Sequence, residues 1–281
     1  MDAKAWAHSL VADFRKRNQG GFWLHFDCRT VADELDKRID NPELIHQNNT
    51  EFCAYASLAY SVASRYPESY AWFVICLFED GIGWFGVTGG KKAKIVASSK
   101  VRTQRLPRMS DGTQMAQADW IAMASMREHF NSVLFDIGEG IPIIGPFVKA
   151  LHSGTTSGEV VGALKQLGCT EVYDQSSTHS PRDMGFAMAA DGHWAANRLV
   201  MLFIDADLLY ADKRATSPGP FSRGNHWVAL NSRLTLSPDK KWIHFQVFSW
   251  GRLMGVPDND GNFIPVSDFQ KRFYGYIVGK F

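Results

Sequence analysis

Two residues of this chain stand where their side chains can do covalent chemistry. Cys53 lies in Gln47-Asn48-Asn49-Thr50-Glu51-Phe52-Cys53-Ala54-Tyr55-Ala56, the start of a helical run. Asn49 or Thr50 can cap that helix, which puts Cys53 in its first turn. The partial positive charge of a helix N-terminus favours thiolate over thiol, and a thiolate attacks carbonyl carbon. The plain alternative is a buried structural cysteine, a common fate of free Cys. His226 lies in Gly224-Asn225-His226-Trp227-Val228-Ala229-Leu230, where an apolar strand follows a loop containing Ser217-Pro218-Gly219-Pro220. A base at a strand's edge is held rigidly and stays reachable; its alternative is a hydrogen-bonded core or surface histidine. A third segment, Phe245-Gln246-Val247-Phe248-Ser249-Trp250-Gly251, ends a strand on a polar residue, a tryptophan and a turn-permitting glycine. The other histidines have less context. His179 and His193 lie in a polar, glycine-containing stretch, and His8, His25, His46, His129 and His152 sit on no strand. His244 alternates with Ile243 and Phe245 and reads as solvent-facing.

The elements that must position these residues change character along the chain. Trp6, Leu10, Val11 and Phe14 share a face at helical spacing. Further helices are expected over Thr30 to Ile39, Phe52 to Arg65, Ser69 to Phe78 and Gln117 to Leu134, with Asn41-Pro42 and Pro67 as breaks. Ala54, Ala56, Ser57 and Ala59 allow the helix behind Cys53 to pack closely. Gly81 to Val87 reads as a bent strand or loop. Thr156-Ser157-Gly158-Glu159 is a capping box that opens a helix ending near Gly168. Short strands follow at Thr170 to Tyr173, Leu199 to Ile204, Trp227 to Leu230, Trp242 to Ser249 and Tyr274 to Val278. Helices first and strands later predict an α+β fold, a helical lobe packed on an antiparallel sheet.

Taken together, the three segments resemble the papain-like cysteine peptidases. That family has Cys on the first helix of a helical lobe, then His and an Asn or Asp on sheet strands, with a Gln six residues before the Cys. Gln47 stands six residues before Cys53, His226 follows in the expected order, and Ser249-Trp250-Gly251 matches the end of the family's Asn-Ser-Trp-Gly segment. The Cys-Gly-Ser-Cys-Trp signature is absent around Cys53, and Phe248 occupies the position of the family's Asn. Ser249, Gln246 or an Asp elsewhere are the alternatives for orienting the imidazole. The resemblance implies one papain-like domain over 1–281, with a helical extension at 1–46, a helical lobe at 47–168 and a sheet lobe at 169–281. It implies acyl transfer without a cofactor: a Cys53 thiolate paired with the His226 imidazolium attacks an amide carbonyl. Gln47 and the Cys53 backbone N–H hold the oxyanion. Trp227 and Trp250 are the implied substrate contacts, and Trp250 also shields the bond between His226 and its orienter. The layout is similar to bacterial effector proteases delivered by specialised, including type VI, secretion systems. That implies a protein substrate in the target cell and a cognate immunity protein in the producer. The alternatives are a papain-like amidase or deamidase, a peptidoglycan endopeptidase, or a catalytically inactive binding module of the same fold.

Composition excludes other classes. Apolar residues make up 45% and charged residues 21%, enough for a sizeable core in 281 residues. Thirty Lys+Arg against twenty-nine Asp+Glu do not make the basic surface of a nucleic-acid binder. Val133 to Leu151, the longest apolar stretch, is interrupted by Asp136, Glu139, Pro142, Pro146 and Lys149, so no membrane span is expected. The opening MDAKAWAHSLVADFRKR reads as an amphipathic helix without a secretory signal's apolar core, and a cytoplasmic location is the expectation. Four cysteines are too few for a disulfide scaffold. Cys76, Cys169 and Cys28 read as structural, and Cys28 has only His25 nearby in sequence, too little for a metal. No His-Glu-x-x-His, paired Cys-x-x-Cys or phosphate-binding Gly-x-x-x-x-Gly-Lys-[Ser/Thr] occurs; Gly86-Val87-Thr88-Gly89-Gly90-Lys91-Lys92 is only superficially similar to the last. Lys91, Lys92, Lys94, Lys100, Arg102, Arg105 and Arg108 fall within eighteen residues that contain no acid. That run is either a solvated face or a docking surface for an acidic substrate or inhibitor protein.

Overall fold

The computed structural model describes residues 2–47, 50–86, 90, 92–106, 114–130, 155–210, 213, 223–256 and 263–281. The fold is α+β, with helices toward the N-terminus and an antiparallel sheet toward the C-terminus. The chain divides into two compact units, 1–155 with 166–168, and 156–165 with 169–281.

The first unit is mainly helical. It contains α1 (Ala3–Arg17), α2 (Cys28–Asp40), α3 (Cys53–Arg65) and α4 (Pro67–Asp80). A hairpin of β1 (Ile82–Gly86) and β2 (Lys92–Val96), the short α5 (Ser99–Arg102) and α6 (Gln117–Phe130) complete it. Residues 1–46 are integral to this unit, because α1 packs on α2 and α4. On α1 the buried face is Ala7, Val11 and Phe14; Val11 and Phe14 lie on it as expected, whereas Trp6 is 43% exposed and Ala7 is buried in its stead. Helix α3 is buried over its whole circumference from Cys53 to Ala63. Its small residues let α4 and α6 pack against it, as expected. Pro67 starts α4 at the first helical position, where its missing N–H costs nothing. Beneath the unit, Arg38 of α2 holds Asp119 of α6 through Nε and Nη2 at 2.5 and 2.6 Å, with both side chains buried. The apolar stretch Val133 to Leu151 lies outside the described residues.

The second unit begins at the capping box. Thr156 N–H donates to Glu159 Oε2 at 2.6 Å, and Glu159 N–H donates to Thr156 Oγ1 at 3.3 Å. These bonds start α7 (Ser157–Gln166), most of which belongs with the sheet rather than with the helices before it. The sheet strands are β3 (Glu171–Asp174), β4 (Leu199–Ile204), β5 (His226–Leu230), β6 (Thr235–Leu236), β7 (Trp242–Ser249), β8 (Arg252–Val256), β9 (Ile264–Pro265) and β10 (Phe273–Lys280). Their order is β3-β10-β4-β5-β7-β6, antiparallel throughout, with β8 and β9 also paired to β7. Two helices, α8 (Met184–Ala195) and α9 (Val266–Arg272), accompany it. One face of the sheet forms a core in which Val200, Leu202, Ile204, Val228, Leu230, Phe245 and Val247 meet Ala187 and Ala190 of α8 and Phe269 of α9. Helix α8 falls in the stretch read as polar and glycine-containing. It forms because the Asp183 carboxylate accepts from Gly185 N and Phe186 N at 2.8 and 3.3 Å, and because its alanines bury against the sheet.

Candidate functional site

The cysteine side is built in the first unit. Cys53 is the first residue of α3, but the cap differs from the expectation: Phe52 stands at the N-cap, with no side-chain cap bond. Asn49 lies outside the described residues, and Thr50 turns its Oγ1 back onto the Gln47 carbonyl, with Thr50 N donating to the same oxygen at 3.3 Å. The Gln47 carbonyl is therefore the acceptor for both the backbone N–H and the hydroxyl of Thr50, just before the helix. Helix α6 fixes that segment. Trp120 lies 5.7 Å from the Phe52 ring, Arg127 stacks over Phe52 at 5.4 Å, and Arg127 pairs with Glu51 at 3.0 Å. Asp119, already holding Arg38, accepts His46 N at 3.0 Å through Oδ2 and so anchors the residue before Gln47. Gln47 and Cys53 are both buried, at 5% and 7% exposure.

The histidine side is built in the second unit. His226 is the first residue of β5 and pairs with Ile204 of β4. Asn225 pins the entry: its N–H donates to Ile204 O at 3.0 Å, and its Oδ1 accepts Ala206 N at 2.8 Å. The β5–β7 register pairs Ala229 with Phe248. Strand alternation then puts Phe248, Gln246 and Trp227 on one face of the sheet and His226 and Ser249 on the other. The consequence is direct: His226 Nε2 and Ser249 Oγ are 2.7 Å apart and buried. Ser249 is thus the imidazole's partner. Gln246 is not, because its Oε1 accepts Asn231 Nδ2 at 2.7 Å on the opposite face. Phe248, at the position of the family's Asn, is turned away by the same alternation. Trp227 is also turned away and stacks on Phe203 at 4.5 Å.

Trp250 covers the imidazole, its ring stacked on His226 at 4.3 Å and 14°. Its backbone explains how it gets there. Ser249 pairs with Arg252 across the β7–β8 hairpin, so Trp250 and Gly251 form a two-residue loop. Their φ values are +46° and +71°, the left-handed pair that a type I′ turn requires. Gly251 adopts this freely, whereas Trp250 is strained by roughly 1–2 kcal/mol. Tyr210 also packs against Trp250, the ring centroids 5.6 Å apart. Tyr210 was not singled out from the sequence. It follows a 3₁₀ turn, Ala206–Leu209, and carries no motif of its own.

The electrostatics follow from burial. His226 is 5% exposed, and desolvation drives its pKa down from 6.5 to about 3, so the imidazole is neutral at neutral pH. A resting imidazolium, implied by the resemblance, is disfavoured by this environment. Burial raises the Cys76 thiol to about 11 and lifts that of Cys28 as well, which fits their structural assignment. All four cysteines are buried. Among the described residues no group of three or more His, Cys, Asp or Glu could hold a metal ion, and no helix is long and apolar enough to cross a membrane. Comparison of the chain with family models, curated proteins and solved structures returns no match.

Proposed function

We propose that this chain is a cysteine-type amide hydrolase of papain-like plan acting on a polypeptide. Cys53 is the nucleophile, His226 the base, Ser249 the residue that orients the base and Gln47 an oxyanion donor. The observation that carries the reading is the His226 imidazole: buried, fixed at Nε2 by Ser249 and covered by a tryptophan on a strained turn. In the tautomer with Nε2–H donating to Ser249 Oγ, Nδ1 keeps a lone pair and can accept a proton. The Cys53 Sγ–H proton passes to Nδ1 as sulfur bonds to the carbonyl carbon, and Gln47 and the Cys53 N–H bind the oxyanion. Collapse breaks the C–N bond, His226 returns its proton to the departing amine, and water hydrolyses the thioester. A neutral resting imidazole makes the ion pair a species formed during attack rather than a standing one.

The rival reading is a catalytically inert module of the same plan, and the burial of both Cys53 and His226 favours it. Iodoacetamide labelling near neutral pH, mapped by mass spectrometry, separates the two. A hydrolase labels fastest at Cys53 and loses that selectivity in His226→Ala. Equally slow labelling of all four cysteines refutes the thiol-hydrolase reading.

A further inference from the structure

The acid-free basic run has no part in the proposed chemistry, yet the structure gives it a specific setting. Part of it is β2, paired with β1 in a two-stranded hairpin. One hairpin face buries Phe85 and Ile95 beside α4 and α6. The other shows the cross-strand neighbours Trp84 and Lys94, with Lys94 Nζ 6.0 Å above the indole, and beside them Val96. Trp84 is 45% exposed and Val96 47%. At the base of the hairpin the segment between α1 and α2 adds Phe22 and Leu24, 54% and 70% exposed. A Cβ placed on Gly81, the residue before β1, would lie 3.7 Å from Phe22 and 3.6 Å from Arg102, so these groups adjoin.

The two protruding side chains are held outward by their backbone. Phe22 N donates to Phe78 O at 2.9 Å, Leu24 N to Arg102 O at 3.2 Å, and between them the buried Trp23 gives its Nε1–H to Leu77 O at 2.8 Å. Gly21 is needed for this approach, since a Cβ there would lie 2.5 Å from Phe78 O. Arg102 lies over the Phe22 ring at 4.9 Å. Lys94, Lys100 and Arg105 are exposed cations of the same run. The exposed Asp80 borders it, and Glu128 of α6 is engaged with Ser98 N at 3.0 Å.

We infer that this face binds the surface of an anionic lipid bilayer, with Phe22, Leu24 and Trp84 entering the headgroup boundary and the Lys and Arg side chains meeting lipid phosphates. Aromatic and aliphatic side chains fixed outward among cations match that boundary, which is apolar on one side and negatively charged on the other. It accepts separate protruding side chains without shape complementarity, whereas a protein partner needs a continuous complementary area of about 800 Å². A single apolar insertion binds a membrane weakly, and a basic patch beside it supplies the second attraction.

The test is co-sedimentation of the full chain with vesicles of phosphatidylcholine alone or mixed with phosphatidylglycerol, at about 0.1 M salt, where charge is screened over roughly 10 Å. The chain should sediment with the mixed vesicles and not with phosphatidylcholine alone. Lys94→Ser should weaken binding about five-fold, the worth of one cation near an anionic surface. Leu24→Ser should weaken it about ten-fold through lost apolar burial. Both sites are exposed, so thermal melts should match the parent; Trp84→Ser is a second apolar probe. Equal or absent sedimentation with the two vesicle types overturns the inference. So does binding that responds to Lys94→Ser but to neither apolar change, which is surface charge alone. Retention on immobilised polyglutamate equal to that on the mixed vesicles also overturns it and assigns the face to an acidic protein.

Discussion

The buried imidazole makes a quantitative demand on stability. His226 titrates at about 3 in the fold and at an ordinary 6.5 when unfolded. Between those values the unfolded chain binds a proton that the folded chain does not. Stability therefore falls as pH drops through 6.5, and the loss levels off only near 3. Linkage gives a loss of about 2 kcal/mol from this one residue between pH 7 and pH 5. His226→Gln has no such proton to take up, so it should lose about 2 kcal/mol less than the parent over the same interval, whatever its stability at pH 7. Other groups also titrate: His8, raised by hydrogen bonds to Asp36 and Asp40 that outweigh its desolvation, and His193, lowered by burial. They titrate alike in both proteins and cancel in the difference. Amide exchange of the β5 and β7 amides, read at the two pH values, reports the sheet unit itself. Equal acid losses in parent and variant would refute the neutral, desolvated imidazole and the base role drawn from it.

Trp250→Asn keeps a residue that tolerates the left-handed turn but removes the ring over His226; an NMR titration should show the imidazole pKa rising toward 6.5, and an unmoved value would deny Trp250 its shielding role. Ser249→Ala leaves a buried ring nitrogen without its partner and should cost about 1–3 kcal/mol in denaturant unfolding, with slower Cys53 labelling. Asp119→Ala strands the buried Arg38 guanidinium and frees the His46 backbone; a loss of about 3–5 kcal/mol is expected in thermal or urea unfolding, while Arg38→Met with Asp119→Leu should recover most of it. Asp191→Ala breaks the bidentate bond from Arg233 at 2.8 and 2.7 Å and the bond from Leu234 N, so unfolding should show a loss near 1–3 kcal/mol.

The elements carrying strong local signals were legible in the sequence. The β-rich runs at Leu199–Ile204 and Trp242–Ser249 recur with the same bounds as β4 and β7, and the Thr156–Glu159 capping box forms both of its bonds. Helix α8 was hidden in a stretch read only as polar and glycine-containing, because its burial depends on a sheet far away in sequence. The cap of α3 was misplaced because the helix begins at Cys53 with Phe52 at the cap, and the Thr50 hydroxyl donates to the Gln47 carbonyl. The partner of His226 was left open among Ser249, Gln246 and an Asp elsewhere because the choice between the first two is one of strand parity. A single residue decides which face a side chain occupies, and the register that fixes it comes from pairing between β5 and β7.

The same parity explains why Trp250 matters more than its place in a motif suggests. A two-residue hairpin loop with both φ values positive is relaxed with Asn-Gly, and Trp in the first position costs roughly 1–2 kcal/mol that nothing in the turn itself recovers. What offsets it lies outside the turn: the contacts of the indole with the Tyr210 ring and with the His226 imidazole. Moving the large side chain one residue back would put it at Ser249 and remove the hydroxyl from Nε2. One residue forward is Gly251, at φ +71°, where a Cβ is again strained. The strained position is therefore the place from which this loop covers the imidazole while leaving its hydrogen bond to Ser249 in place. A backbone outlier held over one buried imidazole, its strain confined to the turn, is what the proposed base role for His226 requires.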